Sequence, residues 1–168
     1  MNRIHKAAVI SKLTDIEKSV RGNFVDVEEN VSIDSFVKIK FAGGNGNIFI
    51  KSGVVINSGS VIYSGKGLII DQNSIIGANV VISPVSHQYQ QKDIPIKSQG
   101  FESDIAFKDF DCSVYIGKDV WIGPNSVVLD RSYIPDGCVI SAGSVVFGVL
   151  QPNGIYVGSP IKLIGFRS

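Results

Sequence analysis

The chain is poor in leucine, methionine, tryptophan, cysteine and histidine, with five Leu, one Met, one Trp, two Cys and two His in 168 residues. Five leucines are too few to fill helical cores, whereas the 24 Ile and 21 Val are stiff at the first side-chain torsion and favour pleated surfaces. Two cysteines, Cys112 and Cys138, cannot build a disulfide framework, which points to a reducing cytoplasm. An excess of one charge is also missing. Sixteen Lys and Arg offset 15 Asp and Glu, so the basic surface that grips nucleic-acid phosphates is not expected. No apolar run approaches the roughly 20 residues that cross a bilayer. The first residues, with Arg3, His5, Lys6, Lys12, Asp15 and Glu17, lack a signal-peptide hydrophobic stretch. The length suits one domain.

What is present is a period of six. Ile116, Ile122, Val128, Ile134, Ile140 and Val146 recur without a break, and Ser126, Ser132, Cys138 and Ser144 stand four residues after the middle members. The position after the aliphatic is Gly at Gly117 and Gly123, but Leu129 and Phe147 depart from that preference. The same phase is read in Val25, Val31 and Val37, in Ile48 with Val54, and in Ile76 with Ile82. It slips at Ala42 to Asn47 (AGGNGN) and near Ser60 and Gly67. Six is not a helical period. It describes a short strand and a turn per hexapeptide, three to a triangular coil of about 18 residues, with coils stacked about 4.8 Å apart. The aliphatics point inward, and the small residues ease the corners.

On this reading residues 24–82 and 114–147 form about five coils of an all-β parallel helix, followed by a tail over 148–168. In the N-terminal segment 1–23, Val9, Leu13, Ile16 and Val20 fall at spacings of four, three and four. That spacing predicts a short amphipathic helix, with Gly22 as its stop. Residues 83–113 keep no register and contain Pro84, Pro95 and Gly100. A loop of this length inside a domain tends to be functional or disordered.

That excursion opens on His87, the only interior histidine. An imidazole accepts a proton near neutral pH, so His87 is a candidate general base, set against the plainer reading of a surface-loop histidine. The Asn57 amide can donate and accept, as a sugar hydroxyl requires, or it can simply serve a corner turn. Trp121 would protrude from a repeat otherwise built of modest side chains, either for a ligand or for a subunit contact. Cys138 falls at the small-residue position and reads as structural. Cys112 has no activating partner in sequence.

The repeat, Ile76 to Ile82 leading to His87, and Val120-Trp121-Ile122-Gly123 after the loop resemble the hexapeptide-repeat acetyltransferases over roughly residues 25–165. The galactoside and maltose acetyltransferases and the polysaccharide O-acetyltransferases are the most similar groups, and Ile94-Pro95-Ile96-Lys97-Ser98-Gln99-Gly100 is similar to a Pro-Ile…Gln-Gly element of the latter. The resemblance implies a left-handed β-helix, an exception to right-handed crossovers. It also implies acetyl-CoA as co-substrate with no metal, a sugar or glycan acceptor, and a cytoplasmic homotrimer with the site between subunits. It makes His87 the catalytic base and Asn57 an acceptor ligand. The cofactor would be flanked by Trp121, Gly123, Pro124 and Ala142, with Lys162 and Arg167 toward its charged end. Where many members place Lys or Arg near the cofactor's 3′-phosphate, this chain has Phe147-Gly148.

N-acetylation of an amino sugar is an alternative. A non-catalytic β-helix scaffold is another, although it would not need His87, Asn57 and Trp121 together. The γ-type carbonic anhydrases share the prism but need three zinc-binding histidines, and this chain has two. The helical extensions that serine acetyltransferases and lipid A acyltransferases carry are not expected.

Overall fold

A computed structural model describes residues 1–102 and 104–168. Its strands gather into three parallel sheets that form the faces of a triangular prism, the architecture of a left-handed β-helix. We call the faces A, B and C in the order the chain visits them. Coils 1 to 6 span residues 3–16, 25–40, 48–63, 68–82, 114–128 and 132–146. A seventh strand, Gly154–Val157, extends face B, and Lys162–Phe166 folds back antiparallel to close that edge.

Each hexapeptide sends two side chains inward. On face A, one row is Val25, Ile48, Leu68, Val114 and Ser132, and the other is Val27, Ile50, Ile70, Ile116 and Ile134. Face B stacks Ile33, Ile56, Ile76, Ile122 and Ile140, and face C stacks Ile39, Ile62, Ile82, Val128 and Val146. These side chains are buried. Val25, Val31 and Val37 therefore belong to the row that later holds Val114, Val120 and Ser126, two residues ahead of the Ile116 row. Ser126, Ser132, Cys138 and Ser144 are fully buried, as small residues at tight corners should be.

The corners explain much of the remaining sequence. Three residues past the inward aliphatic, the backbone enters the left-handed region at Asn30, Phe36, Gly53, Gly59, Asn73, Asn79, Asp119, Asn125, Gly137 and Gly143. Gly and Asn tolerate that conformation best. Phe36 and Arg131, three residues past Val128, are the bulky exceptions, each with φ 63°, and the Phe36 ring is exposed.

The N-terminal helix is not formed. Arg3–Ile4, Val9–Ile10 and Asp15–Ile16 are strands of an additional coil, so there are six complete coils instead of about five. The relevant spacing was the six of Ile4, Ile10 and Ile16, which pair with Val27, Ile33 and Ile39. The open edge of coil 2 supplied ladder partners that a helix would have forgone. Val9, Leu13 and Val20, the supposed apolar face, are exposed.

From face A to B and from B to C, the inward aliphatics always lie six apart, as in Ile50, Ile56 and Ile62. From C to A the interval varies: Ile16 to Val27, Ile39 to Ile50, Ile62 to Ile70, Ile82 to Ile116 and Val128 to Ile134. Every phase slip thus falls on one edge of the prism. The sequence places one slip near Ser60, but Ile56 and Ile62 keep the period; the extra residues lie between Ile62 and Ile70.

The excursion leaves from that edge. Its outgoing leg is held by Lys66 N–H donating to Pro84 O at 2.9 Å. Beneath it, Lys66 Nζ reaches across to Asp130 Oδ2 at 2.7 Å, with both side chains buried. The returning leg carries the short 3-10 helix Lys108–Phe110, whose Phe110 ring lies 4.7 Å from Tyr115. Phe107 packs edge-on against Tyr133 at 5.3 Å, and Tyr115 stacks on Tyr133. No helix among the described residues is long and apolar enough to cross a membrane.

Two outcomes follow. Phe36→Asn, which matches Asn79 and Asn125 at the same corner, should raise stability by about 0.5–1 kcal/mol in urea unfolding; destabilisation would show that the Phe36 ring matters more than its backbone. Lys66→Ala strands the Asp130 carboxylate and should cost about 3–5 kcal/mol, whereas Lys66→Met with Asp130→Leu should recover most of it. A loss below about 1 kcal/mol for the single change would mean that water replaces the ammonium.

Candidate functional site

His87 stands on a two-stranded ribbon that rises from the C–A edge. Gln88 N–H donates to Gly100 O at 3.0 Å and Glu102 N–H to Ser86 O at 2.9 Å, so His87 faces Phe101 across the ribbon. The two rings lie 4.3 Å apart at 39°, which fixes the exposed imidazole against an aromatic face. Beyond them, the Gln99 side chain closes the tip. Its Nε2 donates to the carbonyls of Gln91 and Ile94, and its Oε1 accepts from Gln91 N–H. The Pro-Ile…Gln-Gly element is therefore the loop's closure, with Ile96–Gln99 as a single helical turn.

The other candidates gather elsewhere, on face B and the edge between B and C. Trp121 pairs in register with Ile75 and Val139 on the outer surface of face B, and it is 51% exposed. Along the adjoining edge, Asn57, Gly77, Gly123 and Ser141 occupy equivalent positions, as do Ala78, Pro124 and Ala142. Asn57 Nδ2 donates to Ile76 O at 2.8 Å, which leaves its Oδ1 as the free end of the amide. The left-handed residue of that corner is Gly59, so Asn57 is not there for its backbone.

The neighbouring coil dictates Gly123. A Cβ there would sit 2.5 Å from Ala142 N and 2.8 Å from Ile140 O. Pro124 O accepts from Gly143 N–H at 2.9 Å, so the exposed part of Pro124 is its ring. Ala142 is exposed at the same edge. The result is a smooth ridge that an extended ligand can approach closely.

The antiparallel C-terminal strand separates Lys162 from Arg167. Val157 pairs with Lys162, which puts Lys162 at the C-terminal end of the ridge that holds Ala142. Arg167 lies at the opposite end of that strand, on the A–B edge, where Nη1 meets Asp119 Oδ2 at 2.9 Å and Gly137 O at 3.1 Å. One chain thus brings together Asn57, Trp121, Gly123, Pro124, Ala142 and Lys162. It places His87 and Arg167 at the two other edges.

Neither thiol is poised for nucleophilic chemistry. Burial, aided by the Asp111 charge, pushes the Cys112 thiol up to about 12, and burial also raises that of Cys138. Sequence reasoning missed Phe101, whose only sequence signal is its place just after Gly100, and the Lys66–Asp130 pair, whose partners lie far apart along the chain.

Comparisons with known proteins agree with this architecture. The family described as bacterial transferase hexapeptide (six repeats) matches residues 113–148. WbbJ of Escherichia coli K12, named as a candidate lipopolysaccharide biosynthesis O-acetyl transferase, is 32% identical over 123 residues, 73% of this chain and 62% of that protein. A candidate acetyltransferase of Schizosaccharomyces pombe is 35% identical over 88 residues, 52% of this chain and 38% of that protein. The chain therefore spans less than two thirds of the length of either relative. The solved N-acyltransferase AntD of Bacillus cereus, in complex with dTDP and 3-hydroxybutyryl-CoA, superposes with a TM-score of 0.76 at 22% identity, over 100% of this chain and 82% of that one. A hexapeptide-repeat acetyltransferase of Vibrio cholerae complexed with acetyl-CoA gives a TM-score of 0.62 at 18% identity, over 98% and 70%. These last two likenesses concern the fold. Six coils of inward aliphatics, together with the family match over residues 113–148, show that the chain is built of hexapeptide repeats like those of the bacterial hexapeptide transferases.

Proposed function

We propose that the protein is an acetyl-CoA-dependent O-acetyltransferase that acetylates a sugar hydroxyl of a bacterial surface polysaccharide or its precursor. The observation that carries this reading is His87 itself, exposed and held against Phe101 on a paired ribbon beside a rigid prism. The name of the Escherichia coli relative supports a glycan acceptor and an oxygen nucleophile, and the acetyl-CoA complex of the Vibrio cholerae protein supports the donor.

His87 accepts the proton of the acceptor hydroxyl as that oxygen bonds to the acetyl carbonyl carbon. The carbon–sulfur bond then breaks, and the imidazolium returns its proton to the departing thiolate. Asn57 Oδ1 offers an acceptor for a second hydroxyl of the sugar. The ridge of Gly123, Pro124 and Ala142 takes the pantetheine arm beside Trp121, and Lys162 meets the anionic end of the cofactor. Arg167, engaged by Asp119, has the weaker claim to that role.

His87 and the ridge lie on different edges of one prism, which favours a site shared between copies. The outer surface of face B carries Val9, Ile75 and Trp121, all exposed and apolar. A homotrimer would bury that stripe and set His87 of one chain toward Trp121 and Ala142 of the next.

His87→Ala should lower acceptor-dependent thiol release by about 10²- to 10⁴-fold while leaving acetyl-CoA affinity within about twofold in calorimetry. Trp121→Ala should weaken that affinity instead. Full activity of His87→Ala would remove it as the base. A panel of hydroxyl and amine acceptors separates O- from N-transfer. Sedimentation at micromolar concentration should show a trimer, and a monomer would end the shared-site account.

A further inference from the structure

The two residues that depart from the small-residue preference, Leu129 and Phe147, stack in successive coils at the C–A edge, where Leu129 N–H donates to Val146 O at 3.0 Å. They line a single cleft of about 300 Å3 together with Tyr89 and Gln90 of the excursion. Phe147 is 61% exposed and Tyr89 65% exposed, so both present aromatic faces to a ligand.

Asp130 also lines this cleft. Its Oδ2 is taken by Lys66, but its Oδ1, although buried, has no hydrogen-bond partner among the described residues. That oxygen is sealed from solvent, so the polar groups the cleft offers to a ligand are the exposed Gln90 and half-buried Glu102 side chains. Lys66 is engaged by Asp130, and Arg131 lies 4.0 Å from Glu102. With its exposed aromatic rings beside Gln90 and Glu102, the cleft suits a ligand with hydroxyls and an apolar ring face.

We infer that this cleft is a subsite for a pyranose ring of the acceptor glycan, an inference that rests on the sugar-acceptor reading above. The ring packs on Phe147, and its hydroxyls meet Gln90 and Glu102. Ser86 and Glu102, which also line the cleft, neighbour His87 and Phe101 on the ribbon, so their side chains leave its opposite face. The ring held there is therefore a different one from the ring that reacts at His87, and the acceptor has at least two rings. Phe147 is an acceptor contact.

The test is saturation-transfer NMR of the full chain with lactose, maltose and chitobiose, on the wild type, Phe147→Ala and Gln90→Ala, with acetyl-CoA titrated calorimetrically on the same preparations. Phe147 is exposed enough for its truncation to leave the core intact. At least one disaccharide should bind, and its affinity should fall about tenfold or more in Phe147→Ala, while acetyl-CoA affinity stays within about twofold. The inference is overturned by no disaccharide response at about 50 mM, by a response indifferent to both substitutions, or by loss of acetyl-CoA affinity in Phe147→Ala, which would give the cleft to the cofactor. Failure of the wild type to bind acetyl-CoA would instead sink the transferase reading, while a disaccharide response lost in Phe147→Ala would still establish the cleft.

Discussion

The in-register stacking of one coil on the next is the constraint from which the other features descend. Each inward Ile or Val buries its surface only if its counterpart lies directly above it, and each strand satisfies its backbone only through the same register. A residue added between faces A and B, or between B and C, would shift a whole face out of step. The chain instead keeps its period of six on two edges and takes up all irregularity on the third.

That asymmetry separates two kinds of surface. The B–C edge has no insertions, and its glycines let backbones approach within distances that a Cβ would forbid, so it is smooth and rigid. The C–A edge collects the AGGNGN segment, the excursion with His87 and the aromatic cleft. A loop rooted there could float, yet it is tied at several points. Lys66 reaches under the outgoing leg to Asp130, Phe107 and Phe110 pack the returning leg on Tyr115 and Tyr133, and Gln99 closes the tip. These ties turn a long loop into a platform that carries the His87 imidazole beside the prism, as the proposed general-base role requires.

The placement of the candidate residues on separate edges also bears on the proposed assembly. A single prism cannot fold one edge onto another, because its triangular section is set by the packed core. The proposed reaction, which uses both edges, would bring a second prism alongside, and the exposed row around Trp121 and Ile75 offers apolar surface for it.

Much of this was legible in the chain. The period of six in Ile116 to Val146 determined the prism, the buried serines marked its corners, and the lost register over 83–113 marked the excursion. The sequence misled where two periodicities overlapped. Val9, Leu13, Ile16 and Val20 matched a helix, while Ile4, Ile10 and Ile16 matched another coil. Only the free edge of coil 2 decided between them, because ladder partners come from another part of the chain and leave no local trace. The candidate residues of the proposed site divide in the same way. His87, Asn57 and Trp121 stood out by residue type and by neighbouring motif, since rare side chains in a uniform repeat are conspicuous. Phe101 beneath His87, the Lys66–Asp130 pair and the meeting of Leu129, Phe147 and Tyr89 belong to the tertiary structure alone. They join residues distant in sequence, and what brings them together is the stacking of coils and the single edge at which that stacking tolerates extra chain.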